Sequence, residues 1–491
     1  MKKITLPITN GFYQTDTLPF SAQRCINMYP VYGENAAYAK AYLDCTPGIV
    51  EVEMTGDDIE GYPRGDAVAN GKFYRASGGN MYYIAPDYSV TNLGSIATGD
   101  LVSMATNGKW LVIVVPGSAI AYAVDTTSDT LSIIDDVNFL ASDTVVFIDG
   151  YFVFTASDKK RFFLSNINDP FNFDPLAFGT AESSPDGIIA AAVDHNQLLI
   201  FGSETIEFFQ NTGATPMPFQ RIPGALIEKG TYSRYMIQNY DNTVVFLGGG
   251  INELPGIYRI NSSSSVVKIS SNAIDTKLQQ FDIDYMAEYA LSFSYASNGA
   301  YFVGFTILPT SPTSRVGLTL VYDVTASTIA GMNVWHERIS PSTVIWRVNS
   351  VSLVYNKLHV SYYLSGENLG YLSEDIFTEM GEVVRREVIT QPFYDMNKSL
   401  FLSNLELTLE QGVLNADNES PEIVMEFSDD GARTWSNRFT RTIGNIGEYW
   451  RRTFWRMIGK TPTNRVFKFW MTEPVKLAII KLEAYIRIGT R

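Results

Sequence analysis

One pattern limits what this chain can fold into: a short polar turn followed by an apolar strand, repeated seven times between about Gly61 and Val384. The turns are Asn70-Gly71, Asn107-Gly108, Asp149-Gly150, Asp194-His195-Asn196, Asp241-Asn242, Asn298-Gly299 and Tyr355-Asn356, spaced 37, 42, 45, 47, 57 and 57 residues apart. Asn-Gly and Asp-Gly suit type I′ hairpins, because both central residues take positive φ. Apolar or aromatic strands follow each turn, as in KWLVIVV after Gly108 and QLLIFG after Asn196. Four short strands per ~40–50 residues is the size of one propeller blade. A blade alone has uncovered faces, and packing neighbours round a closed ring covers them and removes open edges. The spacing therefore predicts an all-β chain with a β-propeller of six or seven blades. A tandem array of β-sandwiches is the alternative that the same turns allow.

The flanks read differently. Residues 1–60 are extended and punctuated by proline, as in PFSAQRCINMYPV and YLDCTPGI, and are expected to form an arm leading into the first blade. Residues 61–384 are assigned to the propeller. The pattern changes after Glu379, and residues 385–491 alternate apolar with polar side chains in LFLSNLELTL, EIVMEFS and RVFKFWM. Such alternation fits strands with one buried face, and predicts a C-terminal β-sandwich or jelly-roll-like domain. Trp450, Phe454, Trp455, Phe467, Phe469 and Trp470 are expected to supply its bulk. Ser262 to Ser265 is a low-complexity run short enough for a loop. Aromatic residues make up 13% of the chain, which suits pleated, half-buried strands.

The net charge of −15 is unevenly spread. From Asp430 to Arg491 there are 13 Lys/Arg against 4 Asp/Glu, so the remaining 429 residues carry 24 basic and 48 acidic side chains. This asymmetry points to two surfaces with different partners, or to arginines that pair with acidic neighbours or an adjacent subunit. Cys25 and Cys45 are the only cysteines. They make no disulfide framework and lack CxxC spacing, so a reducing compartment during assembly is expected. The longest apolar run, WLVIVVPGSAIAYAV, is broken by Pro116-Gly117 and is too short for a membrane span. The opening MKKITLPITNGF is broken by Pro7 and Asn10-Gly11 before any signal-peptide core, so a soluble protein made in a cytoplasm is expected.

Catalytic patterns are missing from the sequence. His195, His336 and His359 are far apart and show no metal-ligand spacing. No GxSxG elbow or Walker A loop occurs, and Gly248-Gly249-Gly250 lacks the following Lys-Ser/Thr and helix that a phosphate cradle needs. Glu204 and Glu207 are three apart, so on one strand they would face opposite sides and not cooperate. Ser428-Asp429-Asp430-Gly431-Ala432-Arg433-Thr434-Trp435 approaches the Asp-box of sialidases, but its glycine sits one place early and it occurs once, outside the propeller. A turn-stabilising role is expected for it. Arg451, Arg452 and Arg456 interleave with Trp450, Phe454 and Trp455. Arginines can neutralise phosphate and aromatics can stack on bases. On an alternating strand the aromatics would instead point into the core, leaving the arginines for an interface or a channel wall. The chain is expected not to be an enzyme, with no cofactor and no metal.

At this point certain residues resemble a known family. Ser184-Pro185-Asp186-Gly187-Ile188, the apolar strand to Phe201-Gly202-Ser203, Thr205-Ile206-Glu207 and Thr212-Gly213-Ala214 are similar to a signature of the packaged-DNA stabilisation, or tail hub (nozzle, tail accessory), proteins of short-tailed bacteriophages. Arg24-x-x-Asn27-x-Tyr29-Pro30, Thr46-Pro47-Gly48-Ile49 and the C-terminal SDDGARTWS followed by Ile446-Gly447-Glu448-Tyr449 also resemble it. The resemblance implies a structural virion protein added after DNA packaging, a hexameric ring below the portal and adaptor proteins. That ring would retain DNA, form part of the ejection channel with non-specific contact to passing DNA, and dock a tail needle or plug and tailspikes or fibres. Alternatives are a receptor- or glycan-binding phage tail protein, for which no fibrous repeat is present, and a propeller glycosidase, for which repeated Asp-boxes are absent.

Overall fold

The computed structural model describes residues 2–35, 38–181, 183–240, 243–261, 265–309, 316–362, 369–395, 398–412, 421–461 and 463–488. Among these residues seven blade sheets follow one another round a ring. Blade 1 runs from Pro63–Ala69 through Lys72–Ser77 and Asn80–Ile84 to Ser89–Ser95. Blade 2 comprises Ser103–Thr106, Trp110–Val114, Ala121–Asp125 and Thr130–Ile134; blade 3 comprises Ser142–Ile148, Tyr151–Ala156, Phe162–Asn166 and Asp169–Gly179. Blade 4 comprises Ile188–Asp194, Gln197–Gly202, Ile206–Asn211 and Phe219–Ile227. In blade 5 the first strand is split into Gly230–Thr231 and Ile237–Tyr240, both paired with Thr243–Gly249, and Gly256–Asn261 and Ser265–Lys268 complete the sheet. Blade 6 is Ala290–Ser297, Ala300–Ile307, Leu318–Asp323 and Val334–Glu337; blade 7 begins Val348–Val354, Lys357–Tyr362, Leu369–Ser373. First strands of consecutive blades pack on one another, and that of blade 7 packs on that of blade 1, so the ring closes.

The described turns all join the first strand of a blade to its second. Asn70 and Gly71 have φ of +51° and +71°, Asp149 and Gly150 +49° and +88°, and Asn298 and Gly299 +51° and +74°, the mirror-image geometry that Asn-Gly and Asp-Gly favour. Asp241-Asn242 lies outside the described residues, as do residues 262–264 of the serine run. The two 57-residue spacings have a plain cause: helices Asn272–Leu278 and Ile283–Tyr289 separate blades 5 and 6, and Val324–Ala330 is inserted inside blade 6.

Second strands of blades 2 to 6 are largely apolar because neighbours cover both faces, while those of blades 1 and 7 also carry the buried Arg75, His359 and Ser361. In Trp110–Val114, Leu111 and Ile113 pack with Tyr74 and Ala76 of blade 1, while Val112 and Val114 pack with Phe152 and Phe154 of blade 3. Leu198 and Ile200 likewise face blade 3, and Leu199 and Phe201 face Val244 and Phe246 of blade 5. Each such side chain contributes ~1.5–3 kcal/mol by leaving water, so the blades hold one another rather than standing alone.

Residues 1–60 do not form the arm leading only into blade 1 that the sequence suggested. Their strands complete the open edges of other sheets, which is where unpaired backbone groups find partners. Gly48–Val52 pairs antiparallel with Leu369–Ser373 as the fourth strand of blade 7. Ala22–Ile26 joins blade 6 through Ile26 and Glu337 and pairs on its other side with Arg386–Ile389. Blade 6 thereby runs on, through Asn464–Met471, Glu422–Ser428 and Phe439–Thr442, as one sheet of the C-terminal sandwich. The second sandwich sheet contains Met28–Tyr32, Ala41–Cys45, Ile479–Ile488, Leu400–Leu409 and Thr453–Thr461, with Lys2–Leu6 paired to Ile479–Ile488. Leu405, Leu407, Trp455, Phe467, Phe469 and Leu482 fill the space between the sheets. Cys25 and Cys45 are buried free thiols. Among the described residues no helix is long and apolar enough to cross a membrane.

Candidate functional site

Ser184, Pro185, Asp186 and Gly187 carry the chain from the last strand of blade 3 to the first of blade 4. The Asp186 carboxylate accepts the backbone N–H groups of Glu204 and Thr205, both at 2.9 Å, and the Thr205 hydroxyl at 3.1 Å. Gly202 and Ser203 enter that same turn, and a methyl group on Gly202 would overlap the Asp186 carboxylate. Glu207, 1% exposed, accepts the Ser183 N–H at 2.7 Å and pairs with Arg221 at 3.3 Å. At the far end of the strand, Thr212 donates its N–H and hydroxyl to the Pro218 carbonyl at 2.8 and 3.0 Å, and Gly213 takes φ +69°. The segment is thus a lock inside blade 4: Asp186 closes the turn at residues 202–205, and Glu207 ties it to Ser183 and Arg221. Glu204 lies in the turn before the strand Ile206–Asn211 that carries Glu207, not on that strand.

The N-terminal motif is a second staple, between propeller and sandwich. Arg24 forms two bonds of 2.8 Å to the Glu337 carboxylate. Asn27, at φ +53°, donates to the carbonyls of Ile339 and Arg385, both at 2.8 Å, and accepts the Ile339 N–H at 2.9 Å. Tyr29 packs edge-on against Phe302 at 5.1 Å. Behind it His336 is fully buried with neither ring nitrogen hydrogen-bonded, and burial holds its pKa down at about 3. Arg338 donates to the Pro47 carbonyl at 3.0 Å and lies 3.8 Å over the Trp346 ring.

Two further arrangements escaped the sequence reading. Asp66 and Arg75, both essentially unexposed, pair at 2.9 Å and bind Ser350 and Ser361 of blade 7, joining the first and last blades. They stand directly opposite each other across the Asn70-Gly71 hairpin, so their symmetric spacing about that turn was the available signal. The other arrangement spans the ring axis. The 3-10 turn Arg234–Met236, inserted in the split strand of blade 5, sends the Tyr235 hydroxyl to the carbonyl of Leu101, between blades 1 and 2, at 2.6 Å. Arg234 reaches Asp143 of blade 3 at 3.6 Å. Leu101, Tyr235, Leu291, Leu308 and Ile345 form one apolar cluster there. These contacts reach across the ring from blade 5 to blades 1, 2 and 3.

The basic residues of the sandwich do not act as a set. Arg452 is neutralised by a two-bond pair with Glu406, 2.7 Å each, and Arg451 pairs with Glu448 at 2.8 Å. Arg456 lies over Phe454 at 4.8 Å, with no carboxylate partner among the described residues. Trp455, Phe467 and Phe469 are core, but Trp450 departs from the expected inward position. It precedes the strand Thr453–Thr461 and is 90% exposed. In the Asp-box-like turn Asp430 accepts the Ser428 hydroxyl at 2.7 Å, the Thr434 hydroxyl at 2.6 Å and the N–H groups of Arg433 and Thr434 at 3.0 Å, which hold its carboxyl well below the usual range, while Asp429 pairs with Arg465 at 2.7 Å.

Fold and staples together define a propeller–sandwich scaffold, two domains sharing one continuous sheet. Comparison with known families matches "Bacteriophage P22 Gp10, beta-propeller" over residues 4–377 and "Bacteriophage P22 Gp10, beta-sandwich" over residues 385–487. The chain belongs to the Bacteriophage P22 Gp10 family, the tail hub family that its motifs resemble. A curated relative, the tail hub protein gp10 of Salmonella phage P22, is 26% identical over 261 residues, covering 51% of this chain and about half (53%) of that protein's length. Among solved structures, an inactive virginiamycin B lyase from Staphylococcus aureus is 13% identical with a TM-score of 0.44, covering 66% of this chain and 98% of that one. A chain of a mitotic checkpoint complex is 12% identical with a TM-score of 0.43, covering 70% and 95%. At those scores neither carries anything about function.

Proposed function

We infer that this chain is a non-enzymatic structural subunit of a phage tail hub, a virion protein assembled in the host cytoplasm. Several copies, six as the motifs imply, stand in a ring below the portal and adaptor, and the space between copies is part of the DNA path. The contact of Tyr235 with Leu101 across the ring carries this reading. With Tyr235 bonded to Leu101 across the ring, a duplex cannot use the hole of a single propeller, so any conduit must be built from several copies. Acidic propeller surfaces facing that conduit would repel phosphate and limit sticking of sliding DNA. The basic sandwich then faces the adaptor or a neighbouring subunit. Needle or plug and tailspikes or fibres dock on the remaining outer surface.

Cross-linking tests the conduit. Leu101→Cys with Tyr235→Cys, joined by a short bismaleimide, fixes the plug, while buried Cys25 and Cys45 stay unreactive. Particles carrying the stapled protein are expected to eject DNA as wild type does. Blocked ejection would show that DNA runs through the propeller axis and overturn the reading.

A further inference from the structure

We propose that the sandwich tip of one copy docks on the outer edge of blades 2 and 3 of a second copy, a head-to-tail contact between complementary ends. The inference rests on the ring reading and specifies its contact. At the tip, Trp450 and Met457 are 90% and 91% exposed and Tyr449 is 61% exposed. Arg456 lies in the same stretch with no carboxylate partner among the described residues, whereas Arg451 is paired with Glu448. At the outer edge of blades 2 and 3, Val137 is 93% exposed, Leu176 64% and Ile167 61%. Asp135 and Asp174 stand beside Val137 and Leu176 in sequence and pair with no cation among the described residues. From Ala121 to Gly179 there are 9 Asp against 3 Lys/Arg. Each end therefore combines apolar side chains held in water with charge left unpaired among the described residues, Arg456 at the tip and Asp135 and Asp174 at the edge, and the signs are opposite.

Placement supports the pairing. The sandwich leaves the ring at blade 6, through Val334–Glu337 and Ala22–Ile26. In a ring of seven, blades 2 and 3 are each three steps from blade 6, one in either direction, so the acidic edge lies across the propeller from the blade that carries the sandwich. A subunit with complementary patches at opposite ends associates heterologously, which gives a closed ring when the rotation closes. Exposed Trp with flanking Arg is the composition of an interface anchor, and the opposed charges speed encounter and fix orientation.

The test uses the full chain, with assembly followed by native mass spectrometry and sedimentation. A tip variant, Trp450→Ala with Met457→Ala, and an edge variant, Leu176→Asp with Val137→Asp, are each expected to weaken self-association at least ~30-fold with unchanged circular dichroism and melting temperature. Mixed together, they are expected to form a 1:1 dimer and nothing larger, because one live tip then meets one live edge. Arg456→Glu is expected to weaken assembly, and adding Asp135→Lys and Asp174→Lys to restore it. Wild type that assembles while both variants assemble equally well would overturn the docking surface and leave the ring reading standing. Wild type that stays monomeric at every concentration would overturn both.

Discussion

At the crossing into blade 4, Asp186 gives its carboxylate to three donors of its own blade, and Glu207 is buried against Arg221 and a backbone N–H. At the tip of the sandwich, Trp450 stands in water and Arg456 has only an aromatic face beneath it. Both regions carry residues that attract attention in the sequence, yet one turns them inward and the other outward. The difference separates stability from association. An inward polar group is irreplaceable to the fold because its partners would be left buried and unpaired. An outward aromatic costs the monomer nothing to remove and matters only to a partner.

That contrast can be broken by mutation, beginning with the largest effect. Asp66→Ala strands the buried Arg75 guanidinium between blades 1 and 7 and is expected to cost ~3–5 kcal/mol in chemical unfolding. Gly202→Ala, which pushes a methyl group into the Asp186 carboxylate, is expected to cost ~1–3 kcal/mol, read as a lowered denaturation midpoint. A loss as small as that of an ordinary surface change would mean that the blade 4 lock is not tight.

The buried groups at the propeller–sandwich junction sharpen the comparison through pH. Burial beside Tyr29, Phe302 and Arg338 holds His336 at about 3, below its ordinary value. The unfolded chain therefore takes up the proton first, and this contribution is full above about pH 6.5 and lost as pH falls toward 3. Asp323 is raised to about 7 by burial, so its contribution is full below about pH 4 and lost as pH rises through 7. His336→Leu and Asp323→Asn are therefore expected to change the slope of unfolding free energy between pH 4 and 6.5 in opposite directions. Each change is at most ~1.4 kcal/mol per pH unit. Equal slopes in both variants and wild type would show that neither group titrates with unfolding. The smallest effect belongs to the tip: Trp450→Ala is expected to leave monomer stability within ~0.5 kcal/mol of wild type.

Most of the propeller was readable because its signal is local. Asn-Gly or Asp-Gly marks the first hairpin of blades 1, 2, 3 and 6, and in most blades the strand after the turn is apolar because neighbouring blades cover both of its faces. The two long spacings misled nothing once the inserted helices were seen, since the turns themselves stayed in step. The N-terminal strands were unreadable because their partners lie hundreds of residues away: Arg24 meets Glu337, and Gly48 pairs with Ser373. Alternation placed Trp450 on a buried strand, but that strand begins at Thr453. The turn before it, with Gly447 at φ +87°, leaves the indole outside. Asp186 was picked out by resemblance, yet two of its three donors are backbone N–H groups, which no residue pattern displays.

The most direct test is a cryo-EM reconstruction of this protein assembled in the particle tail. The account predicts a ring of copies in which the Tyr235 plug stays closed, the lumen lies between subunits and is faced by acidic propeller surface, and Trp450 of each copy is buried against blades 2 and 3 of the next. A duplex threading a single propeller, or a lumen lined by Arg451, Arg452 and Arg456, would contradict it.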